Sequence, residues 1–392
     1  MFSKTRRLVA LAVFVVIAAF AVGCGGGDDD GGGDTSGSTS SAPSTQASAE
    51  SAGDGNTPQA GAAQEGVGGQ VPSDKTIGFL NIQGTAPAAQ RLQAAFEAGA
   101  AKWGWKVNVV DAQGDPAKMA SGVQTFVNQK VDAIVTISVQ PAAAQQALQA
   151  AKDAGIPAID IGGPVSDPDG LYAAQFVPND YGLAAELFSF IINDLNGEGD
   201  LVAIDQNQQA VPALIARAKL VEPLFGDTKI KVVANAEADF KNPVQSAVQA
   251  AQDLLSANPN AKGIITYQDY QFGPVSQALK NSTKFKDVKV YGFYAGEDTL
   301  QALRDPDSPA RAVADSPVSD SAWVAVDALV RYFTNDTEPT SVSQWLRPYP
   351  LTLISDENVN INVPSDAKEY PFPSAEEYYA KLWESQGFES QG

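Results

Sequence analysis

The sequence predicts an α/β protein made of two doubly wound, Rossmann-like lobes, each a parallel sheet with helices on both faces. Three observations carry this reading. Short continuous apolar runs alternate with Ala-rich helical stretches of ten or more residues, the pattern of strands buried on both faces. The alternation runs from Lys75 to Ile161 and then starts again at Tyr181. The chain has 392 residues, 44% hydrophobic and 18% charged, enough to bury two domain cores.

In the first round, Thr76–Asn81 reads as a strand, Ala88–Trp103 as a helix, Lys106–Asp111 as a strand, Ala117–Gln129 as a helix and Ala133–Ile137 as a strand. A helix at Ala142–Ala154 and a strand at Pro157–Ile161 complete it. In the second round, helices are expected at Tyr181–Leu195, Val211–Leu224, Pro243–Asn258 and Pro274–Lys280. They alternate with strands at Asp200–Ile204, Ile230–Ala236, Gly263–Tyr267 and Val288–Phe293. In open sheets of this kind a ligand sits outside the carboxyl ends of the strands, near the switch point, and two facing lobes bring those ends to one cleft.

Composition removes whole classes of function. Lys and Arg number 26 against 46 Asp and Glu, a net charge of -20, and no basic patch stands outside the first seven residues, so nucleic acid is an unsuitable partner. There is one cysteine, Cys24, and no histidine, which excludes an internal disulfide, Cys/His zinc sites and His-dependent catalysis. No catalytic residue, metal or cofactor is expected. A carboxylate-dependent hydrolase using Asp269 and Asp315 is the enzymatic alternative; the absence of an activated nucleophile, a Gly-rich phosphate loop or a metal cluster argues against it.

Residues 1–24 divide into a basic start (Lys4, Arg6, Arg7), an apolar run from Leu8 to Phe20, and Ala21-Val22-Gly23-Cys24. The run is shorter than the roughly 20 residues that span a bilayer and reads as a cleaved signal peptide. The four residues ending at Cys24 resemble the lipobox of bacterial lipoproteins, with Ala21 where Leu, Val or Ile is usual; the plain alternative is a secretory signal with an incidental cysteine. Lipidation of Cys24 would hold the protein on the outer face of the cytoplasmic membrane. Residues 25–72 are Gly, Ser, Ala, Thr and Gln with Asp28, Asp29, Asp30 and Asp34, and read as a disordered acidic tether with a reach of about 40 Å.

Over residues 75–363 the chain resembles the type I periplasmic-binding family, in its ribose-binding-like branch. The resemblance is carried by many pieces in order: Lys75-Thr76-Ile77-Gly78, Lys102-Trp103-Gly104-Trp105, the run from Val110 to Lys118, Ala154-Gly155-Ile156-Pro157, Pro178-Asn179-Asp180-Tyr181-Gly182, the run from Ala257 to Ile264, and Val290-Tyr291-Gly292-Phe293. It implies a three-segment hinge near Val177–Asn179, Ser316–Pro317 and Tyr349–Leu351. The first lobe would then comprise 75–178 plus 316–348 and the second 179–315 plus 349–363, with 364–392 as a C-terminal extension expected to pack back as a helix.

The same resemblance implies a ligand set, and this sequence departs from it. The aromatic pair that sugar-binding members carry in the first loop is replaced by Ala88 and Ala89, after Gly84-Thr85-Ala86-Pro87. Gly162-Gly163 stand where an Asp-Arg pair is usual, Tyr294 replaces a later Asp, and Asp315 replaces a Gln at the second crossover. Arg217 coincides with the family's helix Arg, and Gln268 and Asp269 fill an Asn-Asp place. Alone, Arg217 would read as a solvated helix residue and Asp269 as a turn or cap. Tyr294 would stack on a ligand or pack in the hinge, and Asp315 would bond a ligand or pair with Arg217. Ser138 and Gln140 are candidate first-lobe donors; Gln83, Tyr270 and Phe272 are further candidates.

The resemblance thus implies a monomeric solute-binding lipoprotein that takes a sugar, polyol or nucleoside-like molecule and hands it to an ABC transporter permease. The alternative partner is a membrane signalling protein that reads the closed form. The altered ligand set points to a molecule different from, or larger than, a simple pentose. A DNA-binding regulator of the same fold would need a basic headpiece where this chain has an export signal.

Overall fold

The computed structural model describes residues 67–207, 211–239, 241–285, 287–341 and 350–391. Cys24 and the expected signal peptide lie outside the described residues. Among the described residues no helix is long and apolar enough to cross a membrane, and no group of three or more Cys, Asp or Glu is placed to hold a metal ion.

The chain begins with β1 (Gly69–Val71) and β2 (Thr76–Asn81), then α1 (Pro87–Ala101), β3 (Lys106–Asp111), α2 (Pro116–Gln129), β4 (Ala133–Ile137), α3 (Pro141–Asp153), β5 (Ala158–Ile161) and β6 (Ala174–Phe176). There follow α4 (Asp180–Asp194), β7 (Glu198–Ile204), α5 (Pro212–Ala218), α6 (Val221–Phe225), β8 (Lys229–Ala236), α7 (Pro243–Ala257), β9 (Ala261–Thr266) and α8 (Phe272–Lys280). The remainder is β10 (Lys289–Phe293), α9 (Glu297–Arg304), β11 (Ala310–Asp315), α10 (Asp320–Asn335), β12 (Thr352–Ser355), α11 (Val359–Asn362), α12 (Ala375–Gln386) and β13 (Phe388–Ser390).

Two sheets form the lobes. The first has order β3-β2-β4-β5-β6 and is parallel throughout. The second has order β12-β11-β10-β9-β7-β8 and is parallel except for the edge strand β12, which runs against β11. Strand order reverses between β2 and β4 in the first sheet and between β7 and β9 in the second, so each lobe opens its crevice at those carboxyl ends. Strands such as β4 and β5 are buried along their whole length, as continuous apolar runs covered by helices on both faces require.

The structure differs from the expected elements in instructive places. The single helix expected at Val211–Leu224 is two, α5 and α6, because Pro223 has no N–H to donate and its ring would meet the carbonyl four residues back at Lys219. Residues 69–71, expected to belong to the tether, form β1, with Val71 fully buried. Three non-glycine residues adopt left-handed backbone directly after a strand: Ser138 after β4 (φ 52), Asp205 after β7 (φ 63) and Tyr294 after β10 (φ 62). Such conformations are costly for residues with a Cβ and turn the chain sharply at the cleft edge.

The C-terminal extension joins the two lobes. It leaves the second lobe where Arg304 Nη2 donates to the Pro364 carbonyl at 2.7 Å. It reaches the first lobe as α12, as the sequence led one to expect, and packs on α10. Trp383 is the anchor, its ring centroid 5.1 Å from that of Trp103, with its indole N–H donating to Asp327 Oδ1 at 2.8 Å. Asp327 also receives two hydrogen bonds from Arg331, which donates in turn to Gln386. Gly387 ends α12 in left-handed backbone (φ 76), where a side chain would be strained, and β13 then pairs in parallel with β1.

Truncating Trp383 removes a buried aromatic ring and one donor to a buried carboxylate. Trp383→Ala should therefore lower unfolding free energy by about 3–5 kcal/mol, read as a lower urea midpoint by circular dichroism. A loss under about 1 kcal/mol would show that α12 is an appendage and not part of the first-lobe core.

Candidate functional site

The carboxyl ends of both sheets line a half-open cavity of about 90 Å³ between the lobes. From the first lobe it is lined by the loop after β2 (Ile82, Gln83, Ala86), the first turns of α1 (Ala88, Ala89, Leu92), and Ile137, Ser138 and Gly162. From the second lobe come Val211, Ala213, Leu214 and Arg217 at α5, Tyr267, Gln268 and Asp269 after β9, and Tyr294 after β10.

Arg217 is the central charge. It is 2% exposed, and Nε donates to Asp180 Oδ1 at 2.9 Å while Nη1 donates to the Tyr267 carbonyl at 2.8 Å. Its guanidinium carbon lies 4.8 Å from the ring centroids of both Phe293 and Tyr294. Burial pulls the guanidinium pKa down, and the charge and hydrogen bond of Asp180 together with Tyr294 and Asp269 more than offset this, so Arg217 stays cationic. Burial pushes the Asp180 carboxyl up to about 6 against the pull of Arg217. Nη2 makes no hydrogen bond among the described residues.

Tyr267 and Tyr294 line the cavity, and the hydroxyl of each is buried with no hydrogen-bond partner among the described residues. Burial raises the pKa of both phenols, so they remain protonated donors at neutral pH. An unmade hydrogen bond on a buried hydroxyl costs about 1–3 kcal/mol, which a ligand oxygen would recover. Gln268 is oriented by donating its Nε2 to Asp205 Oδ2 at 2.7 Å, and Gln271 donates to the same oxygen.

Asp269 ties the lobes together. Its Oδ2 accepts from Arg91 Nη2 of α1 at 3.3 Å, and the Ala88 backbone N–H, at the amino end of the same helix, also donates to it. A carboxylate at a helix amino terminus meets unpaired N–H groups and the positive end of the dipole. Gly163 lies at the same junction. A Cβ there would stand 2.7 Å from Ser138 Oγ and 3.4 Å from Ala213 of the opposite lobe, so the glycine that replaces a charged residue in the family's pattern leaves room for close approach.

The structure therefore brings Arg217, Gln268, Asp269, Tyr294, Ser138 and Gln83 to one cavity, together with Ala88 and Ala89. It does not bring the rest. Gln140 caps the region before α3 and accepts from the Ser166 backbone N–H at 3.2 Å, away from the cavity. Asp315 borders a separate groove with Arg91, Ser316 and Glu369, and its Oδ1 accepts from the Ser316 N–H; the partner of Arg217 is Asp180, not Asp315. Tyr270 and Phe272 are buried off the cavity, with Phe272 in the second-lobe core. Sequence reasoning misses Arg91, Asp180, Asp205 and Tyr267. Only Asp180 carried a signal, being a carboxylate at the start of a helix directly after a crossover.

Burial pushes Asp315 up to about 7, against the opposing charge of Arg91. Between the usual carboxylate value and about 7, the folded protein holds a proton that the unfolded chain has lost, so this group's stabilisation falls as pH rises through that window. Each pKa unit is worth about 1.4 kcal/mol, so Asp315→Asn, which keeps the acceptor for Ser316, should melt several degrees above the unsubstituted protein at pH 8. Its melting temperature should also vary less between pH 4 and 7. An unchanged slope would show that Asp315 is not protonated in the folded protein.

Comparison with known proteins agrees with this architecture. Residues 77–337 match the model of a periplasmic binding protein domain. The xylitol-binding protein of Mycolicibacterium smegmatis is 28% identical over 64% of this chain and 69% of its own length. The ribose import binding protein of Bacillus subtilis is 27% identical over 59% of this chain and 73% of its own. Among solved structures, an ABC sugar transporter subunit from Rhodobacter sphaeroides superposes with a TM-score of 0.62 at 26% identity, covering 72% of this chain and 99% of its own. With the matched domain spanning most of the described residues and two sheets meeting at one cavity, the chain belongs to the periplasmic binding protein domain family.

Proposed function

We propose that this protein is an extracytoplasmic solute-binding lipoprotein that captures a small sugar or polyol between its lobes and delivers it to an ABC permease. The observation that carries the reading is the cavity between the lobes, lined by a fixed guanidinium, the Gln268 amide and two tyrosines whose buried hydroxyls have no hydrogen-bond partner among the described residues. Planar guanidinium and amide groups bond adjacent hydroxyls well, and the relatives named for xylitol and ribose bind molecules of that chemistry.

Capture would proceed by hinge closure, with Arg91 and Asp269 latching the lobes once the ligand is in place. Residues 75–178 plus 316–348 and 179–315 plus 349–363 would move as the two bodies. A ligand that binds only the folded state raises its melting temperature by mass action. Cys24 would carry the lipid, and the acidic segment after it would let the lobes reach the permease.

Mass spectrometry of the co-purifying small molecule, followed by thermal shift with xylitol, ribose and glycerol, tests the reading. At least one should raise the melting temperature in a saturable way. Tyr294→Phe should leave the ligand-free melting temperature equal or higher, since it removes an unpaired buried hydroxyl, yet weaken binding about tenfold. Arg217→Lys should abolish the shift, because an ammonium cannot hold Asp180 and the Tyr267 carbonyl and still donate to a ligand. Shifts that persist at full size in both variants would place binding elsewhere.

Membrane fractionation tests the anchor. The protein should partition with membranes in the producing cell, and Cys24→Ala should release it to the soluble extracytoplasmic fraction. Equal partitioning of both would remove the lipid from the proposal.

A further inference from the structure

The polar groups of the cavity are concentrated on one side. Tyr267, Gln268, Tyr294 and the Nη2 of Arg217 all belong to the second lobe. The opposing first-lobe wall is built from Ile82, Ala86, Ala88, Ala89, Leu92 and Ile137, and α5 adds Leu214 beside it. The alkyl wall is fixed by packing: Ala89 and Leu92 are 4% and 2% exposed on α1, and Ile137 closes β4 at 3%. Ser138 and Gln83 are its polar members, and the backbone N–H of Gln83 is already committed to Asn81 Oδ1.

A fully hydroxylated sugar placed here would turn hydroxyls on one edge against a wall that is alkyl apart from Ser138 and Gln83. Buried without partners, those hydroxyls lose their water and gain no hydrogen bond. A molecule whose second edge is methyl or methylene would meet the same wall with complementary surface. Resting on the proposed reading of the cavity as a sugar or polyol site, we infer that the ligand is two-faced: a polyol or sugar lacking a hydroxyl at one end, of the deoxy or terminally alkylated class. Hydroxyls on the other edge would be held by Arg217, Tyr267, Gln268 and Tyr294.

Matched pairs that differ by one hydroxyl test this on the full folded chain: ribose against 5-deoxyribose, L-mannose against L-rhamnose, L-galactose against L-fucose, and glycerol against 1,2-propanediol, each titrated calorimetrically. In the pair that binds best, the deoxy member should bind about tenfold tighter, the scale set by one group in an apolar pocket. Ala88→Ser/Ala89→Ser, which places hydroxyls on the alkyl wall with little change in volume, should cut that ratio to threefold or less. A hydroxylated member that binds as well as or better than its deoxy partner overturns the inference while leaving the sugar or polyol reading intact. An unchanged ratio in the double variant overturns the wall as its cause. Binding by no member of any pair overturns the sugar or polyol reading itself, and the inference with it.

Discussion

The interior of the cleft is organised by the need to keep one guanidinium charged where water does not reach it. A buried cation must be paired and its hydrogen-bonding directions filled. Arg217 meets this demand by drawing on four places in the second lobe: its own helix α5, Asp180 at the first turn of α4, the Tyr267 carbonyl after β9, and the rings that follow and end β10. These are the segments that converge at the switch point of the sheet. Removing either partner would leave the other as an uncompensated charge, so the pair holds the relative positions of α4, α5 and the two strand ends. One direction of the guanidinium remains to act on whatever enters.

The two lobes supply different chemistry to the same space. The second lobe is preorganised and polar, with Asp205 receiving two amide donors and thereby fixing Gln268. The first lobe is aliphatic and closes like a lid of small side chains, its one charged reach being Arg91 across the junction to Asp269. The substitutions that remove the family's sugar clamp are therefore consistent with one another. Small residues at Ala88, Ala89, Gly162 and Gly163 narrow the gap between the lobes and exchange aromatic stacking for alkyl contact.

The α/β rhythm was legible because strands covered on both faces must be continuously apolar, and β2, β4, β5 and β9 stand out as such. The edge elements were not. β6 has three residues, β12 runs antiparallel at an edge, and β1 sits in a Gly-rich stretch that has meaning only when β13 arrives to pair with it. Arg217 was found through the family resemblance, since alone it reads as a solvated helix residue, but its partner was not, because Asp180 and Asp315 are equivalent as isolated carboxylates and only the crossover geometry separates them. Gln140 looked like a cleft residue from its distance past β4; the left-handed turn at Ser138 sends it away from the cavity. No local pattern announces a left-handed Ser or Tyr, since that conformation is imposed by tertiary packing against the residue's own preference.

The pairing of β1 with β13 has a consequence for the order in which the molecule can be built. Gln70 and Glu389, hydrogen-bonded at 2.7 Å across that ribbon, stand 319 positions apart. The five parallel strands of the second lobe, in contrast, lie in one unbroken stretch from β7 to β11. Contacts between distant segments form late, because the loop between them must be closed first. A chain emerging from its amino end therefore completes the parallel part of the second sheet while the first lobe still lacks α10, α12 and β13, so the lobe that is begun first is the one that is finished last.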